Sequence, residues 1–329
     1  MTLITSPDRP PQADRPQPLG PGTAVAAFDV GGTDMKAALF DSSGQMLGLR
    51  RTPTPHRGTE TAEAVLERVE ELLAEFAHTF PHVRPAGIGL IAPGVVDDDQ
   101  GIGRESVNLD WNDVPFRRLL EDRLHLPASF SHDVRAAGEA EFQLGAARGF
   151  GTVVVIIVGT GIAASLIVNG RAHVAGGYAG ELGHSIVDPR GARCACGARG
   201  CLETVGSAGA ISRRYAEATG QEPVGAREVL ALAAAGDPAA RRIWNEAIDA
   251  LALGIAQVTA ILAPEAVVIG GGLAEAGDSL FVPLRERVDA LLSFHRRPLV
   301  LPALIGENAG LIGAALRARA AADRSGQAS

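Results

Sequence analysis

The sequence predicts an α/β protein built of two similar halves that face each other across a cleft. Three observations carry this. A strand–hairpin–strand unit leading into a helix occurs twice along the chain. Each unit opens on a glycine-rich turn. The balance of 46% hydrophobic and 21% charged residues over 329 positions is that of one large or two medium globular domains.

Residues 1–22 hold six prolines and little apolar material, which predicts a disordered tail, too short for a helix-turn-helix domain. The apolar run Ala24–Val30 predicts the first strand, and Gly31-Gly32 then lead to a second at Lys36–Phe40. Apolar positions from Ala62 to Phe76 recur at helical spacing and predict a helix over Thr61–Phe80, ended by Pro81. A buried strand at Gly87–Ile91 and a short helix at Phe116–Leu124 follow. In the second half, Thr152–Val158 and Ala164–Val168 are β-branched runs, and Asn169-Gly170 is a hairpin signal. A long helix over Ile243–Leu262, a strand over Ala266–Ile269 and a closing helix over Leu311–Ala322 complete the pattern. Gly87-Ile-Gly89-Leu-Ile-Ala92 fits a dinucleotide-binding spacing, but its glycines lie within the strand and open no helix.

Thirty basic against 38 acidic side chains leave a net charge of −8, which argues against nucleic acid or an anionic membrane as partner. No uninterrupted apolar run reaches the ~20 residues of a bilayer span, and no signal-peptide order is present, so a cytoplasmic protein is expected. The three cysteines cluster within eight positions, which suits a metal better than a disulfide framework.

Three motifs carry chemistry. In Asp29-Val-Gly31-Gly32-Thr33, glycines at a sharp turn let backbone N–H groups approach an anion, and Asp29 can hold Mg²⁺. A plain hairpin with a polar bend is the alternative. Gly159-Thr160-Gly161 repeats the design after the strand Thr152–Val158, and Gly270-Gly271-Gly272 follows a third strand. Most specific is Glu181-Leu-Gly-His184 followed by Cys194-Ala-Cys196 and Cys201. One imidazole and three thiolates can close a tetrahedral Zn²⁺ site with no open position, hence a structural one. Three reduced cysteines in a loop are the simpler reading.

Together with Pro93-Gly94, Asn108-Leu109, Cys201-Leu-Glu203 and Glu307-Asn-Ala-Gly-Leu-Ile-Gly313, these motifs resemble the ROK family (repressors, open reading frames, kinases) over residues 24–322. The resemblance implies two actin-like (ribonuclease H-like) α/β domains with an interdomain cleft and a small zinc-binding loop. Their expected bounds are 23–130, completed by a C-terminal helix over 308–329, and 131–307, with the zinc loop over 184–201. It implies ATP-dependent phosphorylation of a hexose or N-acetylhexosamine by a homodimer or homotetramer. Asp29, Gly31, Gly32, Thr33, Lys36, Gly159, Thr160, Gly161 and Gly270, Gly271, Gly272 would then hold ATP–Mg²⁺. Gly94, Asn108, His132, Asp133, Glu181, His184 and Glu203 would line the sugar site, with His184 also binding zinc beside Cys194, Cys196 and Cys201.

Asp133 would be the catalytic base, a choice that comes from the resemblance, since nothing in the sequence alone distinguishes it among 38 acids. The family's usual Asn-Asp-Ala-Asn is replaced here by His132-Asp133-Val134-Arg135. Neutral His offers one donor and one acceptor on opposite sides of a ring where Asn offers both in one plane. His132 is therefore expected to reach the sugar and alter its selection.

Overall fold

Two five-stranded sheets of the same order form the scaffold, seen in a computed structural model that describes residues 19–222 and 224–327. In the first half, β1 (Val25–Val30), β2 (Asp34–Phe40) and β3 (Met46–Pro53) form an antiparallel meander. Helix α1 (Thr61–Thr79) follows, and β4 (Ile88–Ala92) returns parallel to β1. A small antiparallel sheet of β5 (Val95–Asp97), β6 (Ile102–Ser106) and β7 (Trp111–Val114) comes next. Helix α2 (Phe116–Leu124) then leads to β8 (Ala128–His132), which joins β4 in parallel, giving the order β3-β2-β1-β4-β8.

Helix α3 (Asp133–Leu144) carries the chain into the second half. There β9 (Val153–Val158), β10 (Ile162–Val168) and the two-residue β11 (Arg171–Ala172) repeat the meander. Four helices follow: α4 (Glu203–Gly206), α5 (Ala208–Thr219), α6 (Ala226–Ala234) and α7 (Pro238–Leu262). Strand β12 (Ala266–Gly270), helix α8 (Asp278–Leu291), strand β13 (Leu299–Pro302) and helix α9 (Ala309–Gln327) end the chain. Pairing senses match those of the first sheet, in the order β11-β10-β9-β12-β13.

Central strands covered on both faces must be apolar on both. In β1, Ala26, Phe28 and Val30 face a core shared with α1 and α2, while Val25 and Ala27 face α9. The two-residue period puts Asp29 on the α9 face. Helices α3 and α9 pack against each other between the sheets, α9 on β1 and β4, α3 on β9 and β10. Close approach there requires glycine: a Cβ on Gly89 would stand 2.0 Å from the Ala314 carbonyl oxygen, and one on Gly313 2.0 Å from that of Ala136. The glycines of the dinucleotide-like spacing thus serve helix–sheet packing.

Helix α7 starts five residues before the expected Ile243, because its first turn, Pro238-Ala239-Ala240-Arg241, has no large apolar residue to carry a periodic signal and is set by the Asp237 cap, which accepts from the Ala240 N–H. By length and composition α7 could cross a bilayer, yet half of its most apolar stretch is buried in the core. The disordered tail expected over 1–22 falls outside the described residues up to residue 18. Within residues 19–22, Leu19 is buried and Arg319 of α9 donates to the carbonyls of Leu19 and Gly20, while Pro21 and Gly22 are exposed.

Candidate active site

In open α/β sheets ligands gather at the carboxyl ends of the parallel strands. On the first sheet that edge carries Gly31 after β1, Gly94 after β4 and Asp133 after β8. Asp29, Ile91 and Ser131 stand in one row across β1, β4 and β8, so Asp29 and Asp133 end up on neighbouring parts of one edge. The Gly31–Thr33 loop is braced from outside. Gly31 N–H donates to the Asp34 carbonyl at 2.9 Å, Thr54 Oγ1 donates to the Gly31 carbonyl at 2.7 Å, and His56 Nε2 meets that of Gly32 at 2.8 Å. Lys36, the only lysine in the chain, reaches the Glu307 carbonyl just before α9 at 3.0 Å.

The two acids of this edge are driven apart electrostatically. Burial pushes Asp29 up to about 7, and the charge of Asp133 adds to that, with only Lys36 opposing. Burial also works against the charge of Asp133, but His132, the Val134 N–H and Arg135 outweigh it and hold the group below the usual carboxylate range. As the first residue of α3, Asp133 also gains from the helix N-terminus, which favours an anion. Adjacent carboxyls with opposed shifts mark this sheet edge as a candidate functional site.

His132 is buried, with its Nδ1 3.0 Å from Asp133 Oδ1 and 3.1 Å from Val134 N. Arg135 turns the other way, into a buried ionic network. It donates to Asp98 and to the Val96 and Gly177 carbonyls. Asp98 also accepts from Ser131 and pairs with Arg317 of α9, which pairs in turn with Glu139. Two acids balance two guanidinium groups here, and the network clamps the β8–α3 corner that presents Asp133. Asp98 and Arg317 carry no signal in the sequence, because isolated charges look alike until the fold brings them together.

The second sheet presents Gly159–Gly161 after β9 and Gly270–Gly272 at the end of β12. Gly271, at φ 83°, lies against the Val158 carbonyl, so the two glycine turns are in contact. Glu203 Oε2 accepts from the Ile162 N–H at 2.8 Å beside Gly161, so one of its oxygens braces this loop. A cavity of about 460 Å³ opens beside Thr160, Glu203 and Ser207 and extends to Cys194 and Arg213. Another, of about 560 Å³ between Asp41, Pro81 and Arg84, contains none of the candidate residues. Asn108 lies exposed on the β6–β7 turn, and Gly94 at φ 117° packs on the Glu105 carbonyl.

The ligand atoms of His184, Cys194, Cys196 and Cys201 all lie within 4.8 Å of one another. Cys194 Sγ is 3.6 Å from His184 Nδ1, and the sulfurs of Cys196 and Cys201 are 3.6 Å apart. A tetrahedral Zn²⁺ with ordinary bond lengths separates its ligands by about 3.5–3.8 Å, whereas a disulfide would need about 2.05 Å. The donor set and spacing therefore fit zinc. Backbone N–H donation from Ala198 lowers the Cys196 thiol, while burial and the neighbouring sulfurs push Cys201 up to about 12, an imbalance that a cation would relieve. His184 faces the cluster with Nδ1, and its Nε2 lies 4.0 Å from Glu181 Oε2. Gly200 makes the knot possible, since a Cβ there would stand 1.5 Å from the Asp188 carbonyl oxygen.

Two matched sheets with glycine turns at their carboxyl edges and two helices between them define the actin-like fold. A model of the ROK family matches residues 25–321, and the chain belongs to that family. It is 35% identical to the glucokinase of Thermotoga maritima over 315 residues, 90% of this chain and 97% of that one. It is 34% identical to an N-acetylmannosamine kinase of Yersinia pseudotuberculosis over 302 residues, 89% of this chain and 98% of the relative. A ROK glucokinase of Streptomyces griseus, solved in complex with glucose and AMPPNP, superposes with a TM-score of 0.75 at 29% identity. That match covers 90% of this chain and 99% of the other.

Proposed function

We propose that this protein is a cytosolic ATP-dependent hexose kinase that transfers the γ-phosphate to a sugar hydroxyl, the 6-hydroxyl of glucose or a close relative. The observation that carries the proposal is the Asp133 carboxylate, set on the first residue of α3 at the same sheet edge as Asp29 and the Gly31–Thr33 turn. Phosphoryl transfer asks little covalent chemistry of the protein: it needs positioning, charge stabilisation and a group to take the acceptor's proton. Asp133 accepts that proton as the hydroxyl oxygen attacks the γ-phosphorus in line, and the bond to the ADP oxygen breaks. The N–H groups of Gly31 and Gly159 are used within their own turns, so those of Gly32, Thr33, Thr160 and Gly161 are the donors left for the phosphates, and Gly270–Gly272 is the turn left for the nucleoside. Asp29 is the residue that would hold Mg²⁺, whose charge would return that carboxyl to its ionised form. Zinc bound by His184 and the three cysteines would cross-link the loop that carries Glu181 and leads into Glu203.

The chain is nearly as similar to the N-acetylmannosamine kinase as to the glucokinase, so an N-acetylhexosamine acceptor is the second reading. ADP release measured with ATP–Mg²⁺ and a panel of hexoses and N-acetylhexosamines separates the two. Glucose is expected to give the highest kcat/KM. If every sugar fails to release ADP while sugars still bind, the protein is a sugar-sensing ROK protein without turnover.

A further inference from the structure

The corner between β8 and α3 contains a three-atom cluster that the chain's own residues make unusual. His132 Nδ1, Asp133 Oδ1 and the Val134 nitrogen lie within 2.6–3.1 Å of one another. A backbone N–H can be shared by two acceptors, but these two also face each other at 3.0 Å, which is repulsive unless a proton lies between them. Were Nδ1 an unprotonated cap acceptor, its lone pair would point at a carboxylate oxygen. The shorter contact is Val134 N to Oδ1, at 2.6 Å against 3.1 Å to Nδ1. The consistent assignment puts a proton on Nδ1, so that the imidazole and the Val134 N–H both donate to Oδ1.

We infer that His132 is a positioning residue for Asp133: its Nδ1–H and the Val134 N–H lock Oδ1, leaving Oδ2 as the oxygen that takes the acceptor's proton. The inference rests on the kinase reading. Two donors on one carboxylate oxygen fix the plane of the group, and a base aligned in advance loses little on reaching the transition state. Among the described residues no hydrogen-bond partner falls on Oδ2, and the Asp133 side chain retains 34% of its exposure, whereas His132 retains 11%. The imidazole is thus the buried support and the carboxylate the presented group. The inference differs from the expectation that His132 selects the sugar, because it predicts an effect on the chemical step.

The first test reads the dyad without turnover. Imidazole ¹⁵N shifts of His132 in the full chain should report a protonated Nδ1, and Asp133→Ala should move them. A neutral ring with Nδ1 unprotonated would overturn the inference. The second test is kinetic. His132→Ala should lower kcat about tenfold, the loss expected when a base is present but misaligned, with sugar KM changed less than about twofold. His132→Asn puts an amide N–H near the Nδ1 position and should restore most of the lost rate, whereas His132→Gln, which reaches the Nε2 position, should not. In an Asp133→Ala background His132→Ala should have no further effect. A raised KM at unchanged kcat would make His132 a sugar contact instead. Equal rates for all three variants would reduce it to packing. If wild-type protein turns over no sugar, the kinase reading fails, and the ¹⁵N shifts still decide whether the dyad exists.

Discussion

The two halves share strand order, pairing sense and a glycine turn at the end of the first strand, yet they differ in what that strand carries. In β1 the residue before the last is Asp29, paired across the hairpin with Lys36. In β9 the same position is Ile157, paired with Ala163 and packed beside α3. Duplicated topology reproduces the place of a loop, and a single residue one step before it decides whether that place holds charge. The third strand differs as well. β3 runs for eight residues, whereas β11 stops after two and releases the chain toward the His184–Cys201 loop. The first half braces the corner that presents Asp133 through a buried ionic network, and the second depends on a loop with little regular structure.

The largest expected effect falls on the acidic half. Asp133→Ala should cut kcat by at least ~10²-fold while sugar and nucleotide binding, read by calorimetry, stay largely in place. A turnover near wild type would transfer the role to another carboxylate, with Asp29 the next candidate.

Next in size is the cysteine loop. Elemental analysis should find about one zinc per chain, and Cys196→Ser should lower thermal stability and sugar affinity together. Both losses follow from geometry, since the loop runs from His184 through Cys201 to Glu203, which braces the Gly161 turn. Metal-free protein with full sugar affinity would make the second half self-supporting and remove this contrast.

The smallest effect concerns pH. Asp29 titrates at about 7 in the folded chain against 3.8 ordinarily, so the folded state binds the extra proton between those values. Its contribution to stability is complete at low pH and is lost as pH rises through about 7. Asn cannot ionise. In the absence of nucleotide, Asp29→Asn should therefore melt several degrees above wild type at pH 8, with the gap shrinking toward pH 5. A gap of the same size at both pH values would remove ionisation as its cause.

Much of the scaffold is legible in the sequence because buried strands and amphipathic helices carry strong periodic signals. The bounds expected for α2 are the observed ones, and those for β1, α1, β9 and β12 differ by one residue. The sheet of β5–β7, the strand β8 and the strand β13 leave no such signal. They are short, mixed in polarity and stabilised by partners distant in sequence, as when Ser131 of β8 donates to Asp98. The His184–Cys201 cluster is legible from spacing, because one imidazole and three thiols close together in the chain form the complete ligand set of a tetrahedral cation. Asp133 is not. Its distinction is a position at a strand–helix corner, between His132 and a buried arginine, and only the fold supplies it.

The central claim, that one sheet edge holds two acids in opposed electrostatic states, is tested most directly by ¹³C titration of the Asp29 and Asp133 carboxyls in nucleotide-free protein. Asp133 should remain ionised to a pH below the usual carboxylate midpoint, and Asp29 should titrate at about 7, with a midpoint that falls in Asp133→Asn. Two carboxyls titrating together at about 4, as free aspartates do, would contradict it.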